Sequence, residues 1–359
     1  MTLLNKSQRS HLQEVFAEYE KEERTVSSFL NVNDRVLIVD GLNQYLRCFC
    51  ATPTMNDDGN HVGGMTGFLK SLALTIRTLK PSRCIIVFDG KGGSQRRRKL
   101  YPEYKHKRKM MTRLNRTYDF KNKDEEVNAM RSQLIRLIEI LDSLPMLIYA
   151  VDNVEADDII GYLTTVVREK QEGSQSIIMS TDKDFLQLVA DDVNVWNPIK
   201  KRLYEPESVL AEYKIHPNNF LIYRAMDGDT SDNINGIKGV GLASLVKYLP
   251  RLTEPTKVTL DEVFDVARIG KAKIFEKILA GEDILTRNIK LMRLDEIDMS
   301  GLIKLKVLER FDEEIPLINK FALTKILQQD KLSTGFPKYD EWLQLSFGQL
   351  NRFALSTHK

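Results

Sequence analysis

The chain has 359 residues, 42% of them apolar, with a net charge of +3 and three cysteines. That length allows one large domain or two with a sizeable core. No apolar run approaches the roughly 18–20 residues of a membrane span, residues 1–21 lack the apolar centre of a secretion signal, and Cys48, Cys50 and Cys84 match neither a disulfide framework nor a zinc spacing, so a reducing, cytoplasmic setting without membrane contact is expected.

Residues 1–33 read as a polar extension in which Leu12, Val15, Phe16 and Tyr19 could form one helical stripe. From Arg35 to about Asp192, short β-rich runs alternate with helical stretches at 66–79, 125–144, 156–170 and 183–188. This alternation predicts an α/β fold, a mostly parallel central sheet flanked by helices. Pro81 and Pro145 stand just before strands, where helices end.

Four runs lead into carboxylates. Residues 36–39 precede Asp40, 85–88 precede Asp89, 147–151 lead to Glu155, Asp157 and Asp158, and 177–179 lead to Asp182 and Asp184. A looser fifth run, 220–222, precedes Asp229 and Asp232. Taken alone, each acid is an ordinary turn former or helix cap. Recurrence at the carboxyl ends of parallel strands, where ligands bind in such sheets, points to a shared task. That many carboxylates in one cleft repel one another unless cations neutralise them. An all-oxygen set suits Mg²⁺ or Mn²⁺, and its size suggests two ions, as in phosphodiester cleavage.

Residues 91–123 break the alternation with thirteen Lys/Arg against two Asp/Glu. They read as an insertion outside the core, in which cations can neutralise phosphates and Tyr101, Tyr104 and Tyr118 can stack on bases. Residues 217–250 read as a helical module. Its turn, beginning Gly236-Ile-Lys238-Gly239-Val-Gly241, could present backbone N–H groups to a phosphate without reading sequence. Residues 251–359 look mostly helical and carry no readable motif.

The segments Leu37-Ile-Val-Asp-Gly-Leu-Asn43 with Arg47, Val87-Phe-Asp89, Val154-Glu-Ala-Asp-Asp158, Ser180-Thr-Asp-Lys-Asp184 and Gly228-Asp-Thr-Ser-Asp-Asn-Ile234, followed by the 236–246 turn, span about 200 residues. Together they resemble the 5′ nucleases of the flap endonuclease superfamily. The resemblance is to the phage and bacterial branch, which includes phage T4-type ribonuclease H and the 5′ nuclease domain of bacterial DNA polymerase I. It implies a PIN-like nuclease core over 34–215 with a basic helical arch at about 91–125, a helix–hairpin–helix over 216–250 and a helical region over 251–359. It implies that Asp40, Asp89, Glu155 and Asp157 hold a first Mg²⁺, with Asp158 shared or behind them. Asp182, Asp184, Asp229 and Asp232 would form a second cluster. Arg97 and Lys105 would act on the scissile phosphate, and Arg47, Tyr104, Arg108, Gly236, Lys238, Gly239 and Gly241 would join them in contacting DNA, with K⁺ at the hairpin.

The implied activity is Mg²⁺-dependent 5′→3′ exonuclease and flap endonuclease cleavage that removes RNA primers and 5′ flaps in replication. The substrates would be flapped or branched DNA and RNA–DNA hybrids, met by a monomer in the cytoplasm, a host's if phage-encoded. A single-strand-binding protein and a sliding clamp are the implied protein partners. A ribonuclease of the same fold and a non-catalytic branched-DNA-binding protein are the rivals. The full acidic set speaks against the latter, since it repels phosphate and serves binding alone poorly.

Overall fold

The computed structural model describes residues 31–106, 114–332 and 335–358. The expected stripe at Leu12–Tyr19 and Arg108 of the basic segment therefore lie outside the described residues. The first half of the chain runs β1 (Arg35–Asp40), α1 (Gly41–Ala51), α2 (Gly63–Leu79), β2 (Arg83–Asp89), α3 (Gln95–Leu100), α4 (Lys123–Leu141), β3 (Leu147–Val151), α5 (Ala156–Lys170) and β4 (Gln175–Met179). Two strands that the sequence pattern did not single out follow, β5 (Val193–Asn197) and β6 (Arg202–Tyr204).

The sheet order is β3-β2-β1-β4-β5-β6, with all pairs parallel except β5 with β6. The direction of winding reverses at β1, whose neighbours are β2 and β4. A crevice at the carboxyl ends of the strands is expected at that reversal. The strands are apolar throughout because both faces are covered. Val36, Ile38, Ile85, Val87 and Ile178 pack with α5 on one face. Leu37, Val39, Cys84, Ile86 and Met179 pack with α1, α2 and α4 on the other.

The chain continues through α6 (Pro206–Tyr213), α7 (Phe220–Asp227), a short hairpin of β7 (Gly228–Asp229) and β8 (Ile234–Asn235), and α8 (Leu242–Tyr248). The run 220–222, grouped in the sequence with the strand-end pattern, is the first turn of α7. Its residues from Phe220 to Met226 are buried all round, and a helix buried on every side has no polar face to reveal its period. Gly228 takes φ +76°, and a Cβ there would lie 2.3 Å from Gly236 N, so the hairpin closes only on glycine.

The remaining helices are α9 (Leu260–Ile269), α10 (Lys273–Ala280), α11 (Glu282–Met292), α12 (Gly301–Phe311), α13 (Lys320–Gln329) and α14 (Tyr339–Leu355). They return to both faces of the sheet. Val307 and Phe311 of α12 join the α5 side, while Leu343, Phe347 and Leu350 of α14 join the α2 side. Arg83, buried at the foot of β2, donates to Phe311 O at 3.0 Å and lies 4.2 Å from that ring's centroid. It thus caps the carboxyl end of α12 with a cation. Among the described residues no helix is long and apolar enough to cross a membrane.

Phe347 is fully buried between α14 and the sheet's α2 face. Phe347→Ala should cost about 3–5 kcal/mol, read as a lower midpoint in urea denaturation. An unchanged midpoint would mean that α14 does not contribute to the core.

Candidate active site

Each strand of the crevice delivers an acid by a local device. Asp40 ends β1 and caps α1, accepting from Asn43 N at 3.2 Å, while its second oxygen accepts from Ser180 Oγ at 3.0 Å. Asp89 ends β2 and accepts from Ala156 N, the first residue of α5, at 2.9 Å. Asp182 follows β4 and accepts from Asp184 N at 2.8 Å, capping the short 3₁₀ turn Lys183–Leu188. The capping role and membership of the acidic edge therefore coincide. Glu155 is the residue before α5 but caps nothing through its side chain. Its carboxylate turns to cations instead.

Those cations come from the basic segment. Arg97 of α3 is 3% exposed. It grips Asp158 through Nη1 at 3.0 Å and Nη2 at 2.7 Å, pairs with Glu155, and donates Nε to Leu291 O at 2.8 Å. Lys105 pairs with Glu155 and anchors its backbone N to Asp232 O at 2.8 Å. Arg96 adds a 3.2 Å contact to Asp158. The first part of the segment is thus built into the site, contrary to its reading as an insertion outside the core. The reason is electrostatic, since buried acids require nearby cations.

Tyr104 departs from its expected part. The ring is only 2% exposed, and its hydroxyl donates to Asp232 at 3.1 Å and lies 3.3 Å from both oxygens of Glu155. Packing with Leu221, Ile234, Leu291 and Met292 encloses it. It joins two groups of acids here and offers no free face for stacking.

Arg224 of α7, 4% exposed, was not singled out in the sequence. It bridges Asp184 at 2.5 Å and Asp229 at 2.8 Å, and donates to Gly228 O at 3.1 Å. The signal was a lone cation inside an apolar run one turn before Gly-Asp. Ser180, held between Asp40 and Asp182, was also missed as a contributor.

Charge is unevenly satisfied. Burial alone would raise the Glu155 carboxyl, but Arg97 and Lys105 pull it down to about 2. Burial likewise works against Asp229, yet Ser231 and Arg224 keep it low. Asp184 is raised by burial despite Arg224, and the rise is plain where no cation among the described residues pairs. Burial, with repulsion from neighbouring acids, pushes Asp40 and Asp182 up to about 7. Asp157 is raised well above the usual carboxylate range by burial and by Asp40 and Asp182.

As they stand, no three or more His, Cys, Asp or Glu among the described residues are arranged to hold a metal ion. The donor chemistry nonetheless fits a hard divalent cation. Asp40, Asp157 and Asp182 offer only oxygens, and besides burial the charges of Asp40 and Asp182 raise Asp157 while that of Asp182 raises Asp40, so a divalent cation among them would offset the repulsion.

The other expected contacts lie further out. Arg47 on α1 is partly buried and paired with Gln44. Gly236 packs where a Cβ would lie 2.3 Å from Met226 O, while Lys238 and Gly239 are exposed and Gly241 has open space around it.

Comparison with known proteins agrees with this architecture. Residues 35–214 match the family model for the 5′-3′ exonuclease, N-terminal resolvase-like domain. The chain is 30% identical over 215 residues to a 5′-3′ exonuclease of Aquifex aeolicus, covering 60% of this chain and 68% of that protein. It is 30% identical over 259 residues to the flap endonuclease Xni of Shewanella denitrificans, covering 72% and 92%. DNA polymerase I of Bacillus subtilis is 29% identical over 278 residues, 75% of this chain but 29% of that longer protein. Among solved structures, the bacteriophage T5 D15 flap endonuclease, in a pseudo-enzyme-product complex with DNA and metal ions, superposes with a TM-score of 0.60 at 20% identity, covering 83% of this chain and 99% of that one. The T5 5′-exonuclease with bound zinc gives 0.59 at 19% identity, covering 82% and 98%. On a family match across half its length, and on relatives that it spans for two thirds or more, this chain belongs to the 5′-3′ exonuclease family.

Proposed function

We propose that this protein is a Mg²⁺-dependent, structure-specific 5′→3′ exonuclease and flap endonuclease that hydrolyses phosphodiester bonds, removing RNA primers and 5′ flaps. The observation that carries the reading is the pairing of an under-neutralised acidic crevice at the β1/β4 reversal with a cationic segment rooted in it. Asp40, Asp157 and Asp182 would provide the nearest ligands for divalent ions, with Asp89, Glu155, Asp158, Asp184, Asp229 and Asp232 around them. Bound there, the ions supply positive charge to the phosphate and lower the pKa of water. Within this reading Mg²⁺ is the working ion, replaceable by Mn²⁺, and a K⁺ would sit at the Gly236–Gly241 turn.

The chain's own groups do the rest. Arg97 and Lys105 present fixed positive charge beside the acids, ready to stabilise charge that builds on a phosphate. The segment that follows Lys105 is basic and would draw a single-stranded 5′ end towards the crevice. The exposed Lys238 and Gly239 turn would hold the duplex by its backbone, without base contacts. Specificity then comes from the junction between single strand and duplex. RNA–DNA hybrid fits the same sites, because only phosphates are gripped. Work as a monomer beside a single-strand-binding protein or sliding clamp completes the proposed setting.

Asp157→Asn should abolish cleavage of a labelled 5′-flap substrate in Mg²⁺ while leaving flap binding, read by fluorescence anisotropy, within about threefold of the parent (0.65 kcal/mol in RT ln 3 terms). A variant that still cut at the parental rate would remove Asp157 from the site.

A second prediction concerns pH. Asp40 and Asp182 titrate near 7 in the folded protein and near 3.8 when unfolded. The folded state therefore binds more protons between those values, so stability falls as pH rises through that window. Divalent ions displace those protons. In differential scanning fluorimetry, the metal-free protein should melt higher at about pH 6 than at about pH 8, and the gain on adding Mg²⁺ should be larger at the higher pH. A Mg²⁺ gain that is larger at the lower pH would exclude these carboxyls as ligands.

A further inference from the structure

Two left-handed residues meet at the foot of the basic segment. Lys105 takes φ +58° and Asn233 takes φ +59°. Asparagine visits that region readily, because its short amide can bond to nearby backbone. Lysine has no such compensation, so its surroundings must hold it there. They do so with two hydrogen bonds that run in opposite directions between the same two loops. Lys105 N donates to Asp232 O at 2.8 Å, and Asn233 Nδ2 donates to Glu103 O at 2.9 Å.

The loop that supplies this clamp is braced from within. Asp229 Oδ1 accepts from Ser231 N at 2.7 Å and from Asp232 N at 3.2 Å, while Arg224 Nη2 holds the other oxygen of Asp229 at 2.8 Å. Asn233 N closes the turn on Thr230 O at 3.3 Å. Asn233 is 8% exposed, and the adjoining Ile234 packs with Tyr104. The Glu103 carbonyl also accepts from His106 N at 3.1 Å. Loss of the Asn233 amide would therefore leave that carbonyl bonded, and would instead loosen the placement of residues 103–105. The consequence falls on Lys105, whose ammonium pairs with Glu155 at the crevice.

We propose that Asn233 is a positioning residue for cleavage. By holding Glu103 O it keeps Lys105 in its left-handed conformation, with the ammonium beside the acids. Its effect passes through Lys105 and requires no contact with substrate. The inference rests on the reading of Lys105 as a group that acts on the scissile phosphate. A displacement of about 1 Å can cost on the order of 100-fold in rate, so one amide bond at this place has leverage.

Single-turnover cleavage of a labelled 5′-flap substrate in Mg²⁺, with enzyme in excess, separates the limiting rate from the half-saturating enzyme concentration. The full-length parent is compared with Asn233→Gly, Lys105→Ala and the variant carrying both. Asn233→Gly keeps the left-handed turn and removes only the amide. It should lower the limiting rate by about tenfold or more, with half-saturation within about twofold of the parent. Added to Lys105→Ala, it should cost less than about twofold further. A parental rate for Asn233→Gly, or its full loss repeated on top of Lys105→Ala, would overturn the inference while the functional reading stands. Asn233→Asp fills the same space and tolerates the same φ, but turns an acceptor towards the Glu103 carbonyl. It should also slow cleavage about tenfold, and a parental rate there would overturn the inference even if Asn233→Gly loosened the fold. A Lys105→Ala variant that cut at the parental rate would sink the reading of Lys105 and this inference with it.

Discussion

An acidic edge this crowded can fold only if cations fold with it. Two unit charges about 4 Å apart interact by roughly 4 kcal/mol at an effective dielectric constant near 20, so several neighbouring acids at the sheet's carboxyl end are a standing stress. Arg97 and Arg224, both nearly inaccessible, absorb much of it by bridging Glu155 with Asp158 and Asp184 with Asp229. Loss of either partner would leave buried, unpaired charge, typically costing about 3–5 kcal/mol. Much of the remaining stress falls on Asp40, Asp157 and Asp182, which have no such partner among the described residues. The chemistry of the site follows from this unequal sharing.

The same pairing explains the local architecture. Arg97 reaches Glu155 and Asp158 because α3 leaves β2 directly beside α5, and Gly90 permits that exit. A Cβ there would lie 1.7 Å from Val151 O. Arg97 Nε also caps α11 through Leu291 O, so the acidic edge ties the start of the basic segment to a helix far along the chain. Tyr104 and the backbone of Lys105 then fasten that segment to Asp232 in the β7–β8 loop. Asn233, donating to Glu103 O at 2.9 Å, closes the same junction. The base of the basic segment and the loop before the glycine turn are therefore one assembly.

Much of this was legible in residues 35–179, where β-branched runs, helix periods and terminal acids coincide. Strand-end recurrence found Asp40, Asp89 and Asp182 because each also performs a visible local task as a cap or anchor. Strands β5 and β6 were less legible, since no acid marks their ends. Helix α7 was obscured by burial on all sides, and Arg224 was obscured with it, a single charge in an apolar run. Tyr104 shows a different limit. Its neighbours in sequence suggest an aromatic available to bases, but only the fold brings Leu221, Ile234 and Leu291 around the ring.

The return of α12 and α14 to opposite faces of the sheet bears on what can be cut from this molecule. The stretch that matches the family model, 35–214, supplies the strands, yet Phe311 and Val307 seal one face and Phe347, Leu343 and Leu350 the other. A fragment ending near 214 would bare both surfaces to water and strip Arg83 of its Phe311 partner. The region that the family model matches and the region able to fold by itself are different lengths of chain here.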